Sequence, residues 1–280
     1  MAKTLNARLH HVCLRSPNPQ RLAAFYERVM DMQAVRLDSA DGVERWLCRG
    51  PDRALLIEPG TMRTLGFGAY VFNEAASLDA FKDRLAAAAV ATVAAVSPLL
   101  NDGAIAALDP VGNRIEFGCS AVDNDRPGRS GRLQHLVVAS PDPDALVAFY
   151  TERLGFQIAD VVRDGEGGLR ACFLHSDCEH HSFAVFRAPE NRLDHHSYEA
   201  SSWDALRDWA DHFATREVSL EWGPGRHGPG HNLFLMINDA DGNWIEISSD
   251  IDLITADWTV GVWAHEPKTL NAWGFAKMRS

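Results

Sequence analysis

Two histidines and one glutamate in the C-terminal half are residues of the types that can hold a catalytic metal. His135 lies in "LQHLVVAS", His195 in "NRLDHHSYEA" and Glu246 in "NWIEIS". Two imidazoles and one carboxylate make a facial triad that suits non-haem Fe(II) and leaves coordination positions open. Because no thiolate belongs to the set, it does not favour zinc or copper over iron. The three segments are far apart in sequence, so the fold must bring them together.

The chain contains two copies of one module, which can position these residues. "LHHVCLRSPNPQRLAAFYERVMDM" from Leu9 matches "LQHLVVASPDPDALVAFYTERLGF" from Leu133, and "DPVGNRIEFG" matches "DADGNWIEIS". Each copy reads as strand, helix and three strands, twice over, with Pro19 and Pro143 in the first turn of the opening helices. We therefore predict an α+β fold of two tandem modules, each a pair of βαβββ units that form a curved mixed sheet around a central cavity.

Composition divides the chain into three parts. Residues 120–131, "SAVDNDRPGRSG", are polar and contain Pro and Gly, as linkers do. We expect an N-terminal module over residues 1–120, a C-terminal module with the metal site over 132–250, and a tail over 251–280. The tail holds three tryptophans and little repeat character. So much aromatic surface needs a cover.

Charge and hydropathy exclude several classes of partner. The 280 residues include 38 acidic and 27 basic side chains, for a net charge of −11, so nucleic acid is not an expected partner. No stretch approaches the roughly 18 apolar residues of a membrane span, and no signal peptide is evident, so we expect a cytoplasmic protein without a membrane segment. The five cysteines lack CxxC spacing and are expected to be reduced thiols.

Five segments in a fixed order resemble a known family. They are "LQHLVVASPDPDALVAFYTERLGF", "EHHSFAVF", "NRLDHHSYEA", "GPGRHGPGHNLFL" and "DADGNWIEIS". The chain resembles the two-module extradiol ring-cleaving catechol dioxygenases of the vicinal oxygen chelate superfamily, from about Leu9 to Asp250. The resemblance implies an oxidoreductase of aromatic catabolism that cleaves a catechol-type substrate with O2 and Fe(II), in a homo-oligomer. It also implies that the tail over residues 251–280 packs over the active site or against a neighbouring subunit. Mn(II) stays open as the metal, because the same ligands accept both ions.

The resemblance also implies roles for histidines around the metal. His195 matches a ligand, and His196, the next residue on an extended strand, is expected to point away because side chains alternate. His181 resembles the family's acid/base histidine, with His180 pointing away. His227 resembles a histidine that contacts the substrate. These assignments give catalytic roles to His181 and His227.

One position departs from the family pattern. Met236 stands where the family usually carries a tyrosine that hydrogen-bonds the substrate hydroxyl, and a thioether cannot donate that bond. Three readings stay open at this point: a lower rate, a substrate-binding role for His231 or Tyr198, or a substrate that prefers an apolar, polarizable wall.

The first module is expected to bind no metal. The position that matches His195 falls in "GFGAYVF", which contains no histidine, although His11 and Glu116 remain. Two alternative functions stay open for the whole chain. One is a metal-dependent lyase or isomerase on the same scaffold, which Met236 favours, and the other is a metal-free protein that binds an aromatic ligand.

Overall fold

The computed structural model of the chain describes residues 5–38, 42–120, 129 and 131–278. Most of the predicted linker, residues 121–128 and 130, lies outside the described residues. Within the described ranges, no helix has the length and apolar character needed to cross a membrane.

The N-terminal module contains, in chain order, β1 (Arg8–Ser16), α1 (Pro19–Val29), β2 (Gln33–Leu37), β3 (Arg45–Gly50), β4 (Arg53–Pro59), β5 (Leu65–Val71), α2 (Ala75–Ala87), β6 (Thr92–Ala94), β7 (Ile105–Leu108) and β8 (Arg114–Gly118). The C-terminal module contains β9 (Leu133–Ser140), α3 (Pro143–Ala148, continued as a π-helix over Phe149–Leu154), β10 (Gln157–Arg163), β11 (Leu169–His175), β12 (Phe183–Arg187), β13 (Arg192–Glu199), α4 (Trp203–Thr215), β14 (Trp222–Arg226), β15 (Leu233–Asn238) and β16 (Trp244–Ser249). The tail adds β17 (Gly261–Ala264) and α5 (Pro267–Leu270).

The two sheets have the same topology. The first runs β2-β3-β4-β1-β5-β8-β7-β6, and the second runs β10-β11-β12-β9-β13-β16-β15-β14, with β17 added beside β10. In each sheet the opening strands of the two βαβββ units, β1 with β5 and β9 with β13, pair antiparallel at the centre. The predicted α+β fold of two tandem modules is confirmed.

Local sequence explains where the opening helices begin. The side chain of Asn18 accepts a hydrogen bond from the backbone N–H of Arg21 at 3.0 Å, and Asp142 caps α3 in the same way from Ala145 at 3.1 Å. A proline follows each cap, where its missing N–H costs nothing. Asn18 is therefore the N-cap residue of α1. The hydroxyl of Ser16, two residues earlier, accepts a hydrogen bond from the Asn18 N–H.

Each sheet has two differently packed faces. One face packs on the helices and forms a core that is continuous between the modules, with residues such as Leu22, Leu136 and Phe213. The opposite face carries separate apolar clusters, around Phe67 in the first module and around Phe173 in the second. The possible metal-binding residues lie on this second face of the C-terminal sheet.

Two tyrosines link the modules in a nearly symmetric way. The hydroxyl of Tyr26 on α1 lies 3.1 Å from Asp239 Oδ2, and the hydroxyl of Tyr150 lies 3.3 Å from Asp109 Oδ2. Each tyrosine thus contacts the aspartate that precedes the last sheet strand, β8 or β16, of the other module. Tyr26 also lies 3.1 Å from His196 Nε2. Since the Tyr26 hydroxyl has a single proton, which goes to Asp239, its oxygen accepts from His196 Nε2–H.

We expect Tyr26→Phe to lower the free energy of unfolding by about 1 to 3 kcal/mol, because it removes the partner of the buried His196 Nε2 and one of the two donors to Asp239 Oδ2, the other being Asn243. Burial raises the pKa of Asp239 to about 6, and hydrogen bonds from Asn243 and Tyr26 oppose that rise. Because this folded pKa lies above the unfolded value, Asp239 costs stability as the pH rises through about 6. Loss of the Tyr26 donor enlarges that cost, so the effect should be larger at pH 8 than at pH 5 in urea denaturation.

Tyr198→Phe is the matched control for this prediction. Tyr198 is equally buried in the same core, but its hydroxyl has no hydrogen-bond partner among the residues that the structure describes. Its removal should change the free energy of unfolding by less than about 0.5 kcal/mol at either pH. Equal effects of the two substitutions would contradict the interface role of Tyr26.

Candidate metal centre

Three neighbouring strands bring His135, His195 and Glu246 to one face of the second sheet. β13 lies between β9 and β16, and Ser197 at its centre pairs with His135 on one side and with Glu246 on the other. His195 lies two residues from Ser197, so its side chain leaves the same face of the sheet. The regular register of the sheet therefore brings together three residues that are far apart in the sequence.

The side-chain atoms of these residues converge. His135 Nε2 lies 3.7 Å from Glu246 Oε1, and His195 Nε2 lies 3.5 Å from Glu246 Oε2. One ligand atom from each residue can be chosen so that all three lie within 4.8 Å of one another. All three residues are buried, with at most 4% of their surface exposed. A single ion at the centre could contact all of them.

The donor set fits a divalent cation. Glu246 is fully buried, and its Oε2 has no hydrogen-bond partner among the described residues, while Asn232 donates to Oε1 at 3.1 Å. Burial favours the neutral acid, but the neighbouring His135 and His227 outweigh it and hold the pKa of Glu246 well below its usual range. A buried carboxylate that stays ionised requires a compensating charge. Two imidazole nitrogens and a carboxylate oxygen that face one point would supply the ligands.

Asp194 orients one of the histidines. His195 Nδ1 donates to Asp194 Oδ1 at 2.8 Å, which fixes the tautomer that leaves Nε2 free of hydrogen and turned toward Glu246. A register shift between Leu193 and His195 lets the two adjacent side chains meet. Arg192 pairs with the second oxygen of Asp194 at 2.7 Å. The sequence pattern alone favours a solvated carboxylate at Asp194, whereas the residue is buried and supports the site.

The convergent side chains form the floor of a pocket of about 530 Å³. Its walls are mostly apolar, and the apolar lining residues are Val137, Phe173, Phe186, Trp222, Pro229, Met236 and Leu270. Leu270 comes from the tail, as do two further lining residues, Thr269 and Lys277. The tail therefore forms part of the pocket wall.

Two further histidines border the triad. The rings of His181 and His135 have centroids 4.5 Å apart, and His227 Nε2 lies 3.7 Å from Glu246 Oε2. His227 stacks face to face on Phe234 with centroids 3.8 Å apart, and its Nδ1 donates to the carbonyl of Leu270 at 2.6 Å. That bond leaves His227 Nε2 as the acceptor on the pocket side.

The environment of His181 favours its neutral form. Burial lowers the pKa of His181 well below its usual value, and the nearby His135 lowers it further. A neutral imidazole in a pocket has one nitrogen that can accept a proton.

The other predicted substrate-binding residues lie in different places. Met236 lines the pocket, as the apolar-wall reading requires. His231 lies outside the lining, with an exposed side chain whose Nδ1 lies 2.6 Å from Asp252 Oδ2. Tyr198 comes third after His195 along β13, so the two side chains leave opposite faces of the strand, and Tyr198 is fully buried on the helix side. The structure therefore brings neither His231 nor Tyr198 to the pocket.

His196 and His180 are the sequence neighbours of His195 and His181, and their surroundings could not be predicted from the sequence. His196 points away from the pocket as expected, but it is buried against Tyr26 at the module interface rather than at the surface. His180 is likewise fully buried, with its ring 5.2 Å from that of His181. Alternation along a strand predicts direction and not what a side chain meets there.

The first module repeats the arrangement, but one of the three ligand positions holds a different type of residue. Ala69 in β5 pairs with both His11 and Glu116, as its counterpart in β13 pairs with two of the triad residues. Two residues before Ala69, at the place of His195, the chain has Phe67. Within the parts of this module that the structure describes, no three His, Cys, Asp or Glu side chains come close enough to share an ion.

Internal partners occupy the polar groups that remain there. Glu116 accepts a hydrogen bond from the backbone N–H of Ser97 at 3.0 Å and pairs with Arg114 at 2.7 Å. His11 Nε2 lies 2.6 Å from the hydroxyl of Ser97. The carboxylate of this module is thus compensated by the protein, unlike that of Glu246.

Comparison with known proteins gives a consistent family. The model of the Glyoxalase/Bleomycin resistance protein/Dioxygenase superfamily matches residues 8–117 and again residues 132–247. A homoprotocatechuate 2,3-dioxygenase from Arthrobacter globiformis is similar in structure, with a TM-score of 0.81 and 21% identity over 99% of this chain and 91% of that chain. At this identity the structural likeness supports the fold alone.

Two curated proteins are similar in sequence. A 3-methylcatechol 2,3-dioxygenase from Pseudomonas putida is 33% identical over 187 residues, which cover 59% of this chain and 64% of that protein. A biphenyl-2,3-diol 1,2-dioxygenase from Paraburkholderia xenovorans is 28% identical over 269 residues, which cover 84% of this chain and 86% of that protein. The chain thus matches somewhat less than two thirds of the first relative and most of the second.

Metal titration of equivalent glutamates tests the site. We expect the metal-free protein to bind one Mn(II) or Fe(II) per chain, and Glu246→Gln to weaken binding by at least about 100-fold, because loss of a ligand should exceed the loss of an outer-sphere partner. Electron paramagnetic resonance of free Mn(II) measures the bound fraction.

Glu116→Gln changes the equivalent carboxylate of the first module and serves as the control. It should leave metal affinity unchanged, whatever it costs in stability. Equal weakening by both substitutions, or two ions per chain in the parent protein, would contradict a single centre in the second module.

Proposed function

This chain belongs to the Glyoxalase/Bleomycin resistance protein/Dioxygenase superfamily, and from that premise we propose that it is an extradiol dioxygenase, an oxidoreductase that opens the ring of a catechol with O2. The metal ligands in this proposal are His135, His195 and Glu246. The observation that carries it is the convergence of these buried side chains at the floor of an apolar pocket. The named relatives that act on catechols support the same reaction.

We propose Fe(II) as the metal. Iron(II) in this site would supply a Lewis acid for the two adjacent catechol oxygens and a one-electron couple through which the ring can reduce O2. Three protein ligands leave room for the two reactants side by side, so that binding replaces a chance encounter. Mn(II) suits the same ligands and stays the alternative metal.

The residues around the triad would handle protons and orientation. Neutral His181 can accept a proton that a catechol loses and return it later, which is general acid–base chemistry. His227, with its Nε2 free to accept, can hold a substrate hydroxyl in place. The walls exclude water, which strengthens electrostatic interactions inside the pocket.

The lining supports a catechol with an apolar substituent. Val137, Phe173, Phe186 and Met236 offer no hydrogen-bond donor to a charged group. Lys277 at the pocket lies 3.4 Å from Glu221, so a carboxylate already balances its charge. Apart from Lys277, these walls offer an anionic substituent little to replace its lost hydration.

The tail and the assembly complete the proposal. We assign residues 251–280 to a segment that covers the active site, since Thr269 and Leu270 line the pocket. The boundaries 1–120 and 132–250, a homo-oligomer and a cytoplasmic location stay predictions from the sequence.

A catechol panel tests the reaction and its substrate class. We expect the anaerobically Fe(II)-loaded protein to consume one O2 per catechol and to form a yellow ring-fission product. Because burying an unpaired carboxylate is costly, 3-methylcatechol and 3-phenylcatechol should show a kcat/KM at least about tenfold above that of 3,4-dihydroxyphenylacetate. An oxygen electrode and absorbance spectra give both quantities.

His181→Gln and His231→Gln form a matched pair for the same assay. The first removes the pocket imidazole and should lower kcat by about 100-fold or more, whereas the second changes an exposed histidine and should leave kcat near that of the parent protein. Product without O2 uptake would favour a lyase or isomerase, and an absence of both metal and turnover would favour an aromatic-ligand binding protein.

A further inference from the structure

A buried chain of hydrogen-bonding groups leads from the pocket to the tail strand. His181 Nδ1 lies 2.9 Å from His180 Nδ1, and His180 Nε2 lies 3.1 Å from Asp160 Oδ2. His180 is fully buried and Asp160 nearly so. The function proposed above uses His181 alone, which leaves His180 and Asp160 without an assigned role.

Proton accounting along this chain gives one consistent arrangement for two neutral imidazoles. An unprotonated Nε2 would point its lone pair at the Asp160 carboxylate 3.1 Å away and be repelled by it, so the ring proton of His180 lies on Nε2. His180 Nδ1 is then an acceptor, and the proton between the two rings must come from His181 Nδ1. The second nitrogen of His181, Nε2, is left without a proton.

The tail strand holds Asp160 in position. Asp160 Oδ1 accepts from the backbone N–H of Gly261 at 2.7 Å, and Oδ2 accepts from the indole N–H of Trp263 at 2.8 Å. A Cβ at Gly261 would lie 2.6 Å from Asp160 Oδ1, so only glycine allows this approach without a shift. These donors add to the His180 contact in favouring the ionised carboxylate.

We propose that Asp160 and His180 are positioning residues that hold His181 in the Nδ1–H tautomer, with Nε2 as a proton acceptor in the pocket, and that β17 holds Asp160 for this purpose. For two neutral rings, the tautomer follows from the contacts of these residues. Its use in catalysis rests on the function proposed above. Removal of the carboxylate should therefore change where the His181 proton resides before it changes anything else.

Long-range ¹H–¹⁵N correlation spectra of the metal-free protein, labelled with ¹⁵N-histidine, report ring tautomers directly. We expect His181 as the Nδ1–H form and His180 as the Nε2–H form. Asp160→Asn places a carboxamide where three donors converge, so at least one donor loses its acceptor, and the His181 signal should leave the pure Nδ1–H position. His180→Phe keeps a ring of similar shape without the acceptor and should have the same effect, which gives a second variant if the first does not fold.

Asp252→Asn is the matched control. Asp252 also lies in the tail, and its backbone carbonyl accepts from the His180 N–H at 2.8 Å, a bond that the substitution keeps, but its carboxylate pairs with the exposed His231. It should preserve the His181 tautomer. An Nε2–H form of His181 in the parent protein, or a pure Nδ1–H form in a folded Asp160→Asn or His180→Phe variant, would overturn the proposal.

The catalytic consequence is measured separately. In the Fe(II)-loaded enzyme, Asp160→Asn should lower kcat at least about tenfold with little change in KM or iron content, because the pocket acceptor is misoriented while the ligands are intact. Asp252→Asn should match the parent. If the parent protein does not turn over any catechol, the proposed function fails while the tautomer result stands; if it does and Asp160→Asn retains full kcat, the catalytic part of the proposal is wrong.

Discussion

The architecture depends on one buried charge, the carboxylate of Glu246. It is fully enclosed, one oxygen has no hydrogen-bond partner among the described residues, and neighbouring imidazoles hold its pKa low. A charge of this kind is unfavourable in a protein interior unless something compensates it. The strands that carry His135 and His195 are packed so that two nitrogen atoms face it. We interpret the second module as a scaffold in which both stability and function depend on how the charge of Glu246 is compensated.

The first module shows what the same scaffold does when the compensation is internal. Glu116 holds the position equivalent to Glu246, yet it receives a backbone N–H and the guanidinium of Arg114. Phe67 fills the place of the second histidine. A duplicated fold can therefore keep its core and topology while one copy replaces a possible ion site with an ion pair and an aromatic ring. This copy also contacts the second module, as Tyr26 does with His196.

Much of this could be predicted from the sequence because the repeat is strong. The repeat predicts the two sheets, and it places His135, His195 and Glu246 on equivalent strands whose side chains share a face. What could not be predicted are contacts that depend on a local irregularity or on another segment of the chain. A register shift in β13 brings the side chain of Asp194 to that of His195, and the sequence periodicity does not predict this shift. Tyr198 was misplaced relative to the pocket because the face of a strand, not proximity in sequence, decides which side chains meet.

The paired histidines follow one rule in both places where they occur in the second module. In each pair one ring faces the pocket, while the other is buried against a group from outside the central strands. His196 meets a helix of the first module, and His180 meets Asp160, which the tail strand holds. A site assembled from side chains on three strands needs support from behind, because errors of a fraction of an ångström in a ligand or a base are costly. In this interpretation the first module and the tail support, from two sides, the sheet that carries the candidate metal centre.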